Sequence, residues 1–239
     1  MLRKTIRFMD SAVNRIVAIL CLLLFLICLY AMIDAVNVYL NANDKSVLKY
    51  KPELGHGSKA LQELSDDAVA WLTVDGTSID YPVMQGSNND EYINKDPFGN
   101  FSLSGSIFLD SRNSAEFSDP YSLLYGHHME HGAMFGALDD FINREFFDQH
   151  RTGTLITTSG QDYKIRLFAA CKADATEKTV FDPPDSNNET LLQYLKQHAA
   201  VFEPQGVDAQ SRILALSTCQ SAENVERMIV FGILIPVSS

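Results

Sequence analysis

Hydrophobic and polar positions divide this chain into three stretches of different character. From Ile16 to Ile33 it reads IVAILCLLLFLICLYAMI, an apolar run without a charge. At about 1.5 Å of rise per residue, a helix of this length approaches the span of a bilayer core, which takes about 20 residues. Residues 34–57 read as a helical continuation of that run, fading into a polar linker. Beyond them the pattern changes to short apolar stretches punctuated by Gly, Asn, Asp and Ser.

Ser58 to Ala70 predicts a short helix with Leu61 and Leu64 on one face. Trp71–Val83 (WLTVDGTSIDYPV) predicts a hairpin, with Asp75-Gly76 as a two-residue turn. Residues 84–104 read as a polar loop with one helical turn, and Ser106–Leu109 and Tyr121–Tyr125 as short strands. Met134, Leu138, Phe141, Ile142 and Phe146 recur at helical spacing, which predicts one or two helices lying on a sheet. Thr154–Thr158, the turn Ser159-Gly160 and Tyr163–Cys171 form a second predicted hairpin. A long connection, Lys172–Ser211, carries a helix at Glu189–Ala200, and strands Arg212–Thr218 and Arg227–Val237 follow. Seven or eight short strands with few helices point to a closed or nearly closed β-barrel in one domain.

Charge sharpens this outline. Arg3, Lys4, Arg7 and Arg15 precede the apolar run against Asp10, whereas Asp34 and Asp44 follow it. The positive-inside rule then places residues 1–15 in the cytoplasm as a basic tail, 16–33 across the membrane and 34–239 outside. A cleaved signal peptide would have an apolar region of ~7–15 residues ending at a small-x-small site. This run is longer and no A-x-A follows it, which favours an uncleaved anchor. The net charge of -11 leaves about -14 on the rest of the chain, with no basic stripe, so nucleic acid is not an expected partner.

Two places concentrate reactive side chains. One is Tyr125-Gly126-His127-His128-Met129-Glu130-His131, just after a predicted strand; the other is Leu216-Ser217-Thr218-Cys219, ending another strand, with Arg227 eight positions on. Cys21 and Cys28 lie in the apolar run, so only Cys171 and Cys219 are expected outside the membrane. They could pair, but Cys171 sits within LFAAC as a core residue would, while Cys219 stands where a strand gives way to the polar QSAENVE. A cysteine nucleophile needs an imidazole within reach and a donor for the developing oxyanion. His127 and Arg227 are candidates for those roles. His127 and His131 have the i, i+4 spacing of a zinc helix, but His128 replaces the required Glu and Gly132 follows, so no metal or other cofactor is expected. His56, His150 and His198 stand in polar surroundings and read as surface residues.

At these residues the chain resembles the sortases, and class B sortases in particular. The matching stretches are AWLTVDGTSIDYPVMQG, GSIFLDSRN, YGHHM with the following MFGALDDF, and LSTC with Arg227 downstream, covering roughly residues 66 to 236. The usual T-L-x-T-C reads Ala215-Leu216-Ser217-Thr218-Cys219 here. The resemblance implies a mainly β fold, a closed eight-stranded barrel with peripheral helices, with residues 58–239 as an extracellular catalytic domain behind one transmembrane helix and a juxtamembrane stretch at 34–57. It implies Cys219 as nucleophile, His127 as acid/base and Arg227 as the stabilising charge. It also implies contacts to a sorting signal from Asn89, Ile93 and Ser217. The implied reaction cleaves an LPxTG- or NPxTN-like C-terminal signal of a secreted surface or pilin protein through a Cys219 thioester. An amine then resolves the thioester. The anchor, the QGSNNDEYINKD loop and the eight-residue gap to Arg227 look closer to pilin-polymerising members, whose amine is a pilin lysine, than to housekeeping members that use a peptidoglycan cross-bridge. An exported cysteine peptidase and an inactive membrane-tethered binding module are the competing readings.

Overall fold

The computed structural model describes residues 2–42, 45–55, 59–182, 186–219 and 226–237. The chain divides into two compact units, residues 1–41 and 42–239. The first is built on one helix, α1 (Leu2–Ala42). Within it Met9–Val36, with a mean hydropathy of 3.2, is long and apolar enough to cross a membrane, extending the expected span at both ends. Leu20, Leu23, Leu24, Phe25 and Ile27 are all exposed on it. A helix apolar on every side is the form a lipid environment demands.

The second unit opens with a 3-10 turn, Lys45–Tyr50, and α2 (Lys59–Leu64), which buries Leu61 and Leu64 as their spacing predicts. The expected helix stops short of Ala70, because Ala68 already opens β1 (Ala68–Val74). The run AVAWLTV gains more from burial on both faces of a sheet than from a helix with one apolar stripe. β1 pairs antiparallel with β2 (Asp80–Met84), in register at Thr73↔Asp80. Val74 N donates to Ile79 O, so the turn spans residues 75–78 rather than Asp75-Gly76 alone. Ile79 is fully buried, and the longer turn is what lets it face the core. Gly76 supplies the left-handed position, at φ 77°.

The other strands are β3 (Ile107–Leu109), β4 (Tyr121–Gly126), β5 (Thr152–Thr157), β6 (Tyr163–Asp174), β7 (Val201–Phe202), β8 (Ile213–Thr218) and β9 (Glu226–Pro236). Their order is β5-β1-β2-β3-β4-β8-β9-β6-β7, and β5 also pairs with β6. That last pairing closes eight strands into the expected barrel and leaves the two-residue β7 attached to β6. Helical spacing after Met134 resolves into a 3-10 helix, Gly136–Ile142, and α3 (Arg144–Gln149). Asn143 caps α3 by accepting from the Glu145 and Phe146 amides. The long connection carries α5 (Glu189–His198), ending two residues before the expected Ala200, and also α4 (Lys178–Phe181). Elements as short as α4 and β7 leave no periodicity to read.

Apolar residues fill both faces of the barrel wall. On β8, Leu214 and Leu216 join one buried cluster while Ile213 and Ala215 join the other. The first cluster includes Leu138, Phe141 and Phe147; the second includes Leu61, Val180, Leu191 and Leu195 from α2, α4 and α5. A strand covered on both sides reads as a continuous apolar run, as ILAL does here. His150, expected at the surface, is half-buried and stacks on Phe146 with ring centroids 4.0 Å apart. His198 is exposed against Tyr194, and His56 lies outside the described residues.

Candidate active site

β4 and β8 run parallel, in register from Tyr121↔Ile213 to Gly126↔Thr218. Both strands end at the same level, so the next residue on each, His127 and Cys219, leaves the sheet beside the other. The Cys219 amide donates to the Gly126 carbonyl at 2.8 Å and ties the two chain ends together. Cys219 is partly buried and packs against the apolar cluster that Ile93 also borders. Burial pushes its thiol up to about 11, and the Arg227 guanidinium pulls in the opposite direction. Cys219 therefore rests protonated near neutral pH, and a thiol in that state would need a base to act as a nucleophile. Cys171 is fully buried on β6, where burial pushes its thiol up to about 12. Both cysteines are free, which removes a bridge between them.

His127 is held by the loop before β3. Its Nε2 lies 2.7 Å from the Ile93 carbonyl, at the 3-10 turn Glu91–Asn94. A carbonyl can only accept, so Nε2 carries a proton and Nδ1 is the nitrogen left for other partners. Among the described residues the imidazole bonds to Ile93 rather than to the Cys219 sulfur. Such bonds commonly tighten only when substrate is present. His128 is exposed and pairs with Asp139 at 2.8 Å. His131 has φ 58° in a three-residue 3-10 turn, so the i, i+4 histidines do not share a helical face.

Arg227 arrives from β9. Ser217 pairs with Ile229, which sets Arg227 across from position 219. Between them Thr218 Oγ1 accepts the Met228 amide at 3.0 Å and carries the β8–β9 ladder one step further. The guanidinium carbon lies 4.9 Å from the Phe181 ring centroid and 5.8 Å from that of Tyr125. Arg227 Nε is buried and has no hydrogen-bond partner among the described residues. A buried cationic donor seated on aromatic faces, with no acceptor for its Nε among the described residues, is suited to an incoming carbonyl or oxyanion.

The expected signal-contacting residues are placed less simply. Ile93 is half-buried at the edge of this site and offers its carbonyl to His127. Asn89 is engaged within the protein: its Oδ1 accepts the Ser111 amide at 2.7 Å and its Nδ2 donates to Asp110 at 3.0 Å. Ser217 is fully buried, its hydroxyl 3.1 Å from the Thr218 carbonyl. Residues 220–225, the polar stretch expected after Cys219, lie outside the described residues. Sequence reasoning assigned no role to Tyr125, Phe181 or Thr218. Tyr125 could have been found, since it stands on β4 two positions before His127. Phe181 left no signal, being 46 residues before Arg227 in the chain.

Known proteins resemble this chain over the same region. A family model described as the sortase domain matches residues 72–235. The chain belongs to the sortase family. Sortase B of Staphylococcus aureus is 31% identical over 185 residues, 75% of each chain. Sortase B of Listeria monocytogenes is 33% identical over 208 residues, 84% of this chain and 82% of the relative. Among solved structures, that of Spy0129, a Streptococcus pyogenes class B sortase involved in pilus biogenesis, is 42% identical with a TM-score of 0.68; the match covers 74% of this chain and 97% of that one. The sortase assignment makes the protein a cysteine transpeptidase, and these likenesses place it in class B.

Proposed function

We propose that this sortase polymerises pilins at the outer face of a membrane, with Cys219 as nucleophile, His127 as acid/base and Arg227 as the charge that steadies the oxyanion. The observation that carries the site assignment is the bond between the Cys219 amide and the carbonyl immediately before His127. Cys219 attacks the Thr carbonyl of an LPxTG- or NPxTN-like signal near the C-terminus of a secreted protein. The thiol proton passes through His127 to the departing amine, leaving an acyl thioester. Arg227, whose buried Nε has no partner among the described residues, meets the negative oxygen. A pilin lysine amine then resolves the thioester, and His127 takes its proton. Asn89 and Ile93 line the signal's approach, and Ser217, buried behind it, contacts the signal once the groove is occupied; for Asn89 and Ser217 the contact uses hydrogen-bonding capacity beyond their present partners. The likeness to Spy0129 supports a pilin acceptor over a cell-wall cross-bridge. The apolar α1 supports a single-pass anchor with its basic end in the cytoplasm.

The test uses the full-length protein in detergent with a sorting-signal peptide. A lysine-bearing pilin domain, a cross-bridge peptide or no amine is added, and products are followed by mass spectrometry. We expect a Cys219 acyl adduct and ligation to the pilin lysine faster than release of free acid. Equal release of acid with and without amine would make the protein a peptidase. Preferential ligation to the cross-bridge peptide would reject the pilin role, and turnover surviving in Cys219→Ala would reject the nucleophile.

A further inference from the structure

The supports of the site converge on one carboxylate. Asp110 directly follows β3, and its side chain is fully buried. Its Oδ1 accepts from the Arg112 backbone amide and from Arg112 Nε, both at 2.9 Å. Its Oδ2 accepts from Arg112 Nη2 at 2.8 Å, Asn89 Nδ2 at 3.0 Å and the Tyr125 hydroxyl at 3.1 Å. All five partners are donors, an arrangement that only an ionised carboxylate satisfies. Burial alone would push this carboxyl up, but the Arg112 fork, the Arg112 amide and Asn89 outweigh it and hold Asp110 below the ordinary carboxylate value. The Tyr125 phenol is pushed up, first by burial and then by Asp110, and so stays a donor.

Each of the three side chains leads back to the site. Tyr125 presents one of the two rings beside Arg227. Arg112 donates Nη2 to the Phe181 carbonyl at 2.6 Å and Nη1 to Asp182 at 2.9 Å, and Phe181 presents the other ring. Asn89 precedes by four residues Ile93, whose carbonyl accepts from His127. We infer that Asp110 is a positioning residue for transpeptidation: its charge locks both aromatic faces of the Arg227 seat and the loop that orients the His127 ring. It touches no reacting atom. This inference rests on the catalytic assignment made above.

The test compares the full-length wild type with Asp110→Asn, Asn89→Ala and the double variant. The readouts are kcat and KM for peptide-to-amine transfer, and the melting temperature. Asparagine keeps the shape but turns an NH2 group toward Arg112 and Asn89. We expect kcat to fall about tenfold or more, with KM changed less than about threefold, in a protein that still melts cooperatively. In the double variant the two losses should fall short of their product, since both act through one chain of contacts. A lower melting temperature with wild-type kcat, or losses that simply multiply, would overturn the inference. If Asp110→Asn does not fold, Tyr125→Phe and Asn89→Ala each remove one donor from the carboxylate, and wild-type kcat in both would overturn it equally. Cys219→Ala runs alongside: turnover in that variant breaks the catalytic assignment, whereas a dead Cys219→Ala with wild-type Asp110→Asn breaks only the positioning role.

Discussion

Cys219 and Cys171 carry the same side chain and both are held protonated by burial, yet only one sits where its sulfur can meet a reagent. Cys171 is enclosed on β6, while Cys219 is partly exposed and opposite a cation. Iodoacetamide should therefore label Cys219 in the folded protein and leave Cys171 unlabelled. A raised pKa keeps the thiol form below it, so the labelling rate should climb with pH toward about 11. Arg227 is the group that pulls this value down, so Arg227→Ala should move the profile to higher pH. Labelling by mass spectrometry across pH checks both, and a midpoint near 8.5 that Arg227→Ala leaves in place would contradict them. At this scale His127, Cys219 and Arg227 stood out as candidates because the motifs around them are distinctive. Asp110 and Arg112 lie within one of those motifs, GSIFLDSRN, and still gave no hint of their role. An Asp two positions before an Arg normally marks a solvated turn, and its burial under Tyr125 depends on the pairing of β3 with β4, which the local pattern does not show.

Among the elements, β4, β8 and β9 do the work of assembly, and their ends matter more than their middles. The β8–β9 ladder is carried past Ser217 by a side chain, the Thr218 hydroxyl that accepts the Met228 amide. Thr218→Val keeps the shape but strands a buried N–H, which should cost about 1–3 kcal/mol of stability. Because Met228 adjoins Arg227, the same change should lower kcat. Denaturant melts together with peptide turnover measure both; unchanged stability would mean that the Met228 amide finds another acceptor. The strands themselves were largely legible from their apolar runs. The turn after β1 was not, because Asp75-Gly76 has the local chemistry of a two-residue hairpin and only the burial of Ile79 lengthens it.

For the molecule as a whole, α1 and the barrel unit are separate compact bodies. The barrel closes on itself through β5 and β6 and carries its own apolar clusters. A chain starting at residue 42 should then be water-soluble and turn over peptide with kcat/KM within about twofold of the full-length protein. The full-length protein should remain with membranes after alkaline carbonate extraction. Fractionation and peptide kinetics test the pair. Loss of activity on truncation would mean that α1 contributes to catalysis as well as to location.

Local pattern was enough to foresee the apolar span and the number of barrel strands and to single out three candidate side chains, because each depends on runs or motifs a few residues long. Strand order was beyond its reach. β4 and β8 are 92 residues apart at their last pair, Gly126↔Thr218. Which strands meet depends on how both faces of the wall bury their side chains together, a property of the whole chain. The Ile93 carbonyl on His127, the rings beside Arg227 and the five donors around Asp110 exist only once that packing has brought distant segments within hydrogen-bond reach.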